Sequence, residues 1–334
     1  MPKTLYFFLL FLVVTIASVN AQAIVTGYVY DHTTKEPMQG VTVYFDGTSI
    51  GTVTNKEGYF ELETEKQVTA SLIVSYIGYE SVHINNPYAY KDIKFYLKET
   101  SFALDEVVLQ ADPFTREAKM VVFRKEFLGQ EYEGNCKILN EDVIIVTYDM
   151  TKSKLLAFAS EPLKIMNTAL GYEVTYNLVD FEVVYTQNSL SSMFIQSVYY
   201  AGTSFYNDIS EGQGKYKRRR RKIYYGSPLH FMRTLAKEEL TEEKFGVYKR
   251  SFPVDPLQHF TISDSLGLKY VTATQPKWNL LYKKDEQSAM QIYTDGFFID
   301  SYGNFTPVDA LVFGGYMGKL RFKDMLPLDY YPDK

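Results

Sequence analysis

Residues 25–62 read VTGYVYDHTTKEPMQGVTVYFDGTSIGTVTNKEGYFEL, and the way this stretch alternates and turns sets the expected fold. Apolar runs with period two are cut by Lys35-Glu36-Pro37, by Asp46-Gly47-Thr48 and by Asn55-Lys56-Glu57-Gly58. Successive strand residues point to opposite faces, so Val41, Val43 and Phe45 share one face while Thr42 and Tyr44 share the other. The pattern continues through SLIVSYIG, ESVHI and DIKFYL to Lys98. Seven short strands in about 75 residues, with Gly or Pro in nearly every gap, predict a β-sandwich over residues 24–98.

Upstream, Lys3 precedes an apolar run from Leu5 to Ala17, followed by Ser18-Val19-Asn20-Ala21-Gln22-Ala23. The run is shorter than the ~20 residues a helix needs to cross a bilayer. Small residues stand where a signal peptidase requires them, so residues 1–23 read as an export signal. No cysteine follows the cut, which argues against a lipid anchor. Without those residues, which hold one lysine, 34 Lys and Arg face 40 Asp and Glu, a net charge of about −6. Aromatics are 16% of the chain, with 29 Tyr and 23 Phe but one Trp, a bias that favours strands. Cys136 is the single cysteine, so stability must come from packing and not from an intrachain disulfide. No later segment is apolar enough for a transmembrane helix, and helix-like C-terminal stretches argue against a transmembrane barrel.

The stretch quoted above, continued by VSYIGYESVHI and LDEVVL, resembles the carboxypeptidase D regulatory-like domain, a transthyretin-like sandwich. The resemblance rests on Gly27, Pro37, Gly40, Val41, Val43, Gly47, Thr48, Gly51, Thr52, Gly58, Phe60, Gly78, Tyr79 and Leu104 to Val108. It covers about a quarter of the chain and implies a fold and an envelope location, as in exported proteins of the Bacteroidetes type, but no catalytic group. A nutrient receptor carrying this domain would continue into a plug and a barrel, whereas here the chain runs ADPFTREAKMVVFRKEFLG. FRKEFLG, CKILN, EPLKIMNTALGYEVTYNLVDFEV, YYGSPLHFMRTL and MLPLDYYP are similar to exported proteins of the same type that join the sandwich to an uncharacterised domain.

Residues 99–118 read as a linker and 119–334 as an α+β domain. Ala118–Leu128 is helix-like, with Val121, Val122, Phe123, Phe127 and Leu128 as its apolar stripe. Val143–Thr147, Leu155–Ala159, Tyr172–Asn177, Phe181–Thr186 and Met193–Ala201 alternate like antiparallel strands. Pro162–Leu170 is expected as a short helix. Ser227-Pro228 opens another, with Leu229, Met232, Ala236 and Leu240 on one face, widened by Phe231 and Leu235. Residues 260–322 return to strands, turning at 265–267, at Asp285-Glu286 and at 301–304.

Motifs with chemistry are few. Gly47-Thr48-Ser49-Ile50-Gly51 fits G-x-S-x-G, but a strand follows where a nucleophile serine needs a helix. None of His32, His83, His230 and His259 has a glutamate three residues on, so the zinc carboxypeptidase pattern is missing. His230 reads as a partly buried polar contact and Cys136 as a buried structural thiol. Asp295-Gly296 and 300–304 are oxygen-rich, yet lack the repeating Asp of a calcium loop and read as solvated turns. Neither a cofactor nor a metal site is expected.

GKYKRRRRKIYYGS, residues 214–227, carries Lys217, Arg218, Arg219, Arg220, Arg221 and Lys222 in succession. Six like charges repel, so the run is expected to stay solvated, as a loop or an exposed helix start. Outside the cytoplasm its partner would be lipid phosphate, acidic polysaccharide or an acidic protein face, and not nucleic acid. The leading reading is a non-enzymatic exported protein of the periplasm or outer membrane that binds a protein, glycan or anionic lipid. A carbohydrate-binding module in nutrient uptake and a hydrolase with an unrecognised C-terminal site stay open beside it.

Overall fold

The computed structural model describes residues 23–64, 67–100, 113–265 and 267–333. The expected export signal up to Gln22, the LDEVVL stretch and most of the expected linker lie outside the described residues, whereas Ala23, expected as the last residue of the signal, opens the first strand. The chain is β-rich, 43% strand and 18% helix, with its helices mostly in the C-terminal part.

All seven strands of the sandwich form. Strands β1 (Ala23–Asp31), β4 (Tyr59–Thr64) and β7 (Ile93–Leu97) make one sheet in the order β4-β1-β7, with β1 parallel to β7. Strands β2 (Thr42–Phe45), β3 (Gly51–Val53), β5 (Leu72–Ser75) and β6 (Val82–Ile84) make the second, ordered β3-β2-β5-β6. Val41, Val43 and Phe45 are fully buried between the sheets, as the alternation requires. Tyr44, on the opposite face, is buried as well, because residues about 160 positions later pack over it.

Residues 113–208 hold a second core. Helix α1 (Arg116–Leu128) starts at Thr115, whose hydroxyl accepts the Ala118 N–H at 3.3 Å. Met120, Val122, Phe123, Phe127 and Leu128 of α1 are buried, whereas Val121 faces outward. The helix lies on a sheet ordered β8 (Cys136–Ile138), β11 (Leu163–Asn167), β12 (Tyr172–Tyr185), β10 (Lys154–Ala159), β9 (Ile144–Asp149), with β13 (Ile195–Asp208) on the other edge of β12. Phe123 meets Phe181 of β12 edge-on at 4.7 Å. The two strands expected at 172–177 and 181–186 are one strand, bulged between Leu178 and Asp180 so that Val179 projects into solvent. The helix expected at Pro162–Leu170 is strand β11, paired with β8 and β12. Leu163, Ile165 and Asn167 are buried and Lys164 exposed, a period of two that the flanking strands impose.

The third core gathers helix α3 (Pro228–Ala236) with two sheets. One is ordered β15 (Phe252–Val254), β14 (Phe245–Lys249), β18 (Lys277–Tyr282), β19 (Glu286–Ile292), β22 (Leu311–Gly314). The other is β16 (Phe260–Ser265), β17 (Leu268–Ala273), β20 (Phe297–Ile299), β21 (Phe305–Thr306). Phe231, Met232 and Leu235 of α3 are buried with Trp278, Met290 and Phe297. Leu229 and Ala236 are only partly covered, so the buried face is turned from the expected one, and Leu240 is buried beyond the helix end. A short helix α4 (Gly315–Lys319) ends β22 inside the stretch expected to be strands alone.

Candidate functional site

The three cores meet around β13. Asp46 and Gly47, in the β2–β3 turn, are stitched to it: Gly47 N–H donates to the Ser204 carbonyl at 2.8 Å, and Ser204 N–H donates to the Asp46 carboxylate at 2.7 Å. The Tyr44 hydroxyl lies 3.3 Å from that of Thr203 and its ring 5.1 Å from that of Phe205. A Cβ at Gly51 would come within 2.5 Å of the Phe205 ring, so any other residue there would push that ring out of place. Burial pushes the Asp46 carboxyl up to about 6, against the hydrogen bonds from Ser204 and Gly47 that favour its charge.

Beside this seam opens a cleft of about 850 Å³, walled by all three cores. Tyr199 and Tyr200 come from β13, Asp46 and Asn85 from the sandwich, and Asp300 and Asn304 from the third core. The Tyr199 ring is half exposed. Asp300 Oδ1 accepts the Tyr302 and Asn304 N–H groups at 2.8 and 2.9 Å, while Oδ2 accepts the Thr69 hydroxyl. The turn expected to be solvated therefore buries its carboxylate, because the sandwich closes over it. Among the described residues no group of three or more His, Cys, Asp and Glu could hold a metal ion.

The C-terminal tail closes the junction. Arg233 of α3, buried, donates to the carbonyls of Tyr302 at 2.8 Å, Leu328 at 2.6 Å and Tyr330 at 2.7 Å, and its guanidinium lies 3.9 Å from the Tyr331 ring centroid. Leu328 N–H donates to the Gly47 carbonyl at 2.7 Å. Ser49, the serine of the G-x-S-x-G match, gives both its N–H, at 2.8 Å, and its hydroxyl to Asp329. Its partner is thus a carboxylate that fastens the tail, with no imidazole between.

The basic run is helix α2 (Gly214–Tyr224), not a loop. Lys217, Arg218, Arg219, Arg221 and Lys222 are exposed as expected, but Arg220 is buried. Its guanidinium makes a two-pronged ion pair with Asp208 at 2.7 and 2.9 Å and donates to the Leu170 and Gly171 carbonyls at 2.7 and 3.0 Å. It also lies 3.8 Å from the Tyr172 ring centroid. One full set of partners offsets the desolvation that repulsion within the run had seemed to forbid.

His230 is buried among Tyr224, Tyr225, Phe245 and Tyr282, its ring 5.0 to 5.6 Å from theirs. Nδ1 accepts the Gly226 N–H at 3.2 Å, so Nε2 carries the proton towards Glu243 at 3.3 Å. Burial pulls its pKa down to about 4, despite Glu243. Cys136 is buried and its thiol pushed up to about 12 by that burial, which leaves it unreactive at neutral pH. Of the groups forming the junction, sequence reasoning singled out the Gly47 turn and the 300–304 turn. The burial of Asp46, Tyr199 and the clasping role of Arg233 carry no local signal beyond the turn that holds Asp46 and the abundance of tyrosine.

No curated protein matches the chain. Among solved structures, a protein of unknown function from Bacteroides fragilis NCTC 9343 is similar at 10% identity, covering 88% of this chain and 95% of that one with a TM-score of 0.19. Residues 25–109 match the family model of the CarboxypepD_reg-like domain. The N-terminal sandwich of this chain is thus the part that matches the CarboxypepD_reg-like domain family, consistent with a carboxypeptidase D regulatory-like domain.

Proposed function

We propose that the protein is a non-enzymatic exported protein of the periplasm or outer membrane, and that it binds a protein or smaller ligand in the junction cleft. The observation that carries this reading is the cleft itself: about 850 Å³, bounded by elements of all three cores, with a half-exposed tyrosine at its wall. Its volume lies within the range of about 300–1,000 Å³ usual for ligand sites, which also favour the places where separate cores meet. Two of its carboxylates, Asp46 and Asp300, are engaged across segments, Asp46 by the Ser204 N–H and Asp300 by the Thr69 hydroxyl, and serve to hold the walls together. In the histidine–carboxylate pair the His230 ring is enclosed by other rings while Glu243 is half exposed, and neither residue lines the cleft.

A carbohydrate ligand is the second reading, favoured by the tyrosine rings standing in the same cleft as Asn85 and Asn304. Rings stack on the apolar faces of sugars and amides pair with their hydroxyls. The test places a photo-crosslinking amino acid at Tyr199, or at the exposed Phe252 as a control, and irradiates intact cells before fractionation. A discrete adduct in the envelope fraction from position 199 alone is expected, a protein or a glycan by its mass. Equal adducts from both positions, or none from 199, would sink the reading.

A further inference from the structure

We propose that the cleft between α2 and the C-terminal tail is a second binding site, for a small acidic saccharide bearing a carboxylate or sulfate on its ring. An α-helix turns about 100° per residue, and α2 divides accordingly into three sectors. Arg220 and Tyr224 face the protein interior. Lys215, Arg219 and Lys222 form an outward sector. Gly214, Lys217, Arg218 and Arg221, at spacings of three and four residues, form the sector that faces Tyr330 and Tyr331 of the tail. These residues, with Asp333 and an edge of the buried Arg220, line a cleft of about 390 Å³, and none of them lines the junction cleft.

The charge in this sector is unbalanced. Lys217 pairs with Asp333 at 3.0 Å across exposed surface. The guanidinium groups of Arg218 and Arg221 have no hydrogen-bond or ion-pair partner among the described residues, in contrast to that of Arg220. Like charges at these spacings on a helix repel, so an entering anion relieves the repulsion. Two guanidinium forks suit the paired oxygens of a carboxylate or sulfate. Tyr331, half exposed with Arg233 against its ring, and Tyr330 supply the flat wall on which a sugar ring lies.

Other anionic partners fit less well. An added peptide strand needs main-chain partners, and here the tail carbonyls of Leu328 and Tyr330 are already taken by Arg233. A bilayer would engage the exposed Lys215 and Lys222 as well as the cleft side chains, which the variants below separate. Asp333 marks where the first anionic group sits, and its carboxylate competes with the ligand for Lys217.

Calorimetric titration of the whole chain after signal cleavage, at low salt, tests the site with trigalacturonate and a sulfated trisaccharide against neutral maltotriose. At least one acidic sugar is expected to bind and maltotriose to bind at least tenfold more weakly. The double variant Arg218→Glu/Arg221→Glu loses at least tenfold in affinity. Lys215→Glu/Lys222→Glu, the same charge change on the outward sector, stays within twofold, and Asp333→Asn gains about twofold or more. The proposal is overturned if neither acidic sugar binds, if both double variants lose affinity alike, or if Arg218→Glu/Arg221→Glu is without effect. Binding confined to phosphatidylglycerol vesicles, or to an acidic peptide, overturns it equally.

Discussion

Arg218 and Arg220 are two positions apart in a run of identical chemistry, yet one is a surface charge and the other an internal strut. Hydrogen bonds from Arg220 hold the Asp208 carboxyl well below the usual carboxylate range. Arg220→Met should therefore cost about 3 kcal/mol, since the Leu170 carbonyl loses its donor, Asp208 loses its ion pair, and the Gly171 carbonyl keeps only the Ile209 N–H. Arg218→Met should fall within about 0.5 kcal/mol of wild type, and urea titrations of both variants check the contrast. Asp46 gives the opposite electrostatic signature. Its folded pKa, raised by burial to about 6, exceeds the unfolded value of 3.8, so the native state binds the extra proton between them. Stability contributed at this site falls as pH rises from about 4 to 6 and is flat above. Asp46→Asn lacks that loss while retaining an oxygen for the Ser204 N–H. Its melting temperature should match wild type near pH 4 and exceed it by an amount worth roughly 1–3 kcal/mol above pH 7. His230 titrates in the opposite sense in both proteins and drops out of the difference.

At the level of elements, the joint between α2 and α3 shows how local chemistry sets a boundary. Ser227 donates its hydroxyl to the Tyr224 carbonyl at 2.6 Å and accepts the His230 N–H at 3.2 Å, so one side chain ends the first helix and starts the second. Ser227→Ala should cost about 1–2 kcal/mol in chemical denaturation, more than a solvent-exposed cap would, because the serine is buried. This start signal was readable in Ser227-Pro228. The identity of β11 was not: Leu163–Asn167 has apolar spacing that serves either element over so short a run, and pairing with Tyr172–Tyr176 on one side and Cys136–Ile138 on the other decides for strand.

Across the whole molecule, the tail from Leu328 to Asp333 touches each of the other parts. It reaches the sandwich at Gly47 and Ser49, α3 at Arg233 and α2 at Lys217. Three carbonyl contacts to one buried guanidinium make Arg233 the centre of this clasp. Arg233→Met should free the tail, raising the rate of chymotryptic cleavage after Leu328 and Tyr330 at least tenfold, as read by mass spectrometry, ahead of global unfolding. An unchanged cleavage rate would mean that the tail is held by other contacts. The clasp also borders both proposed sites, with Leu328 at the junction cleft and Tyr330 and Tyr331 at the α2 cleft.

The order of residues alone was enough for the sandwich, for α1 and α3, and for most strands, because alternation, caps and glycine turns act within a few positions of one another. It was enough, too, to mark Lys217–Lys222 as the concentrated charge of the chain. Which polar groups would be interior depended on segments far apart in the chain. Tyr44 is buried by Thr203 and Phe205, Arg220 is paired by Asp208 and capped by residues near 170, and Asp300 is sealed by Thr69. Burial is a property of what packs on a surface, and a surface acquires its cover only when distant strands have taken their places.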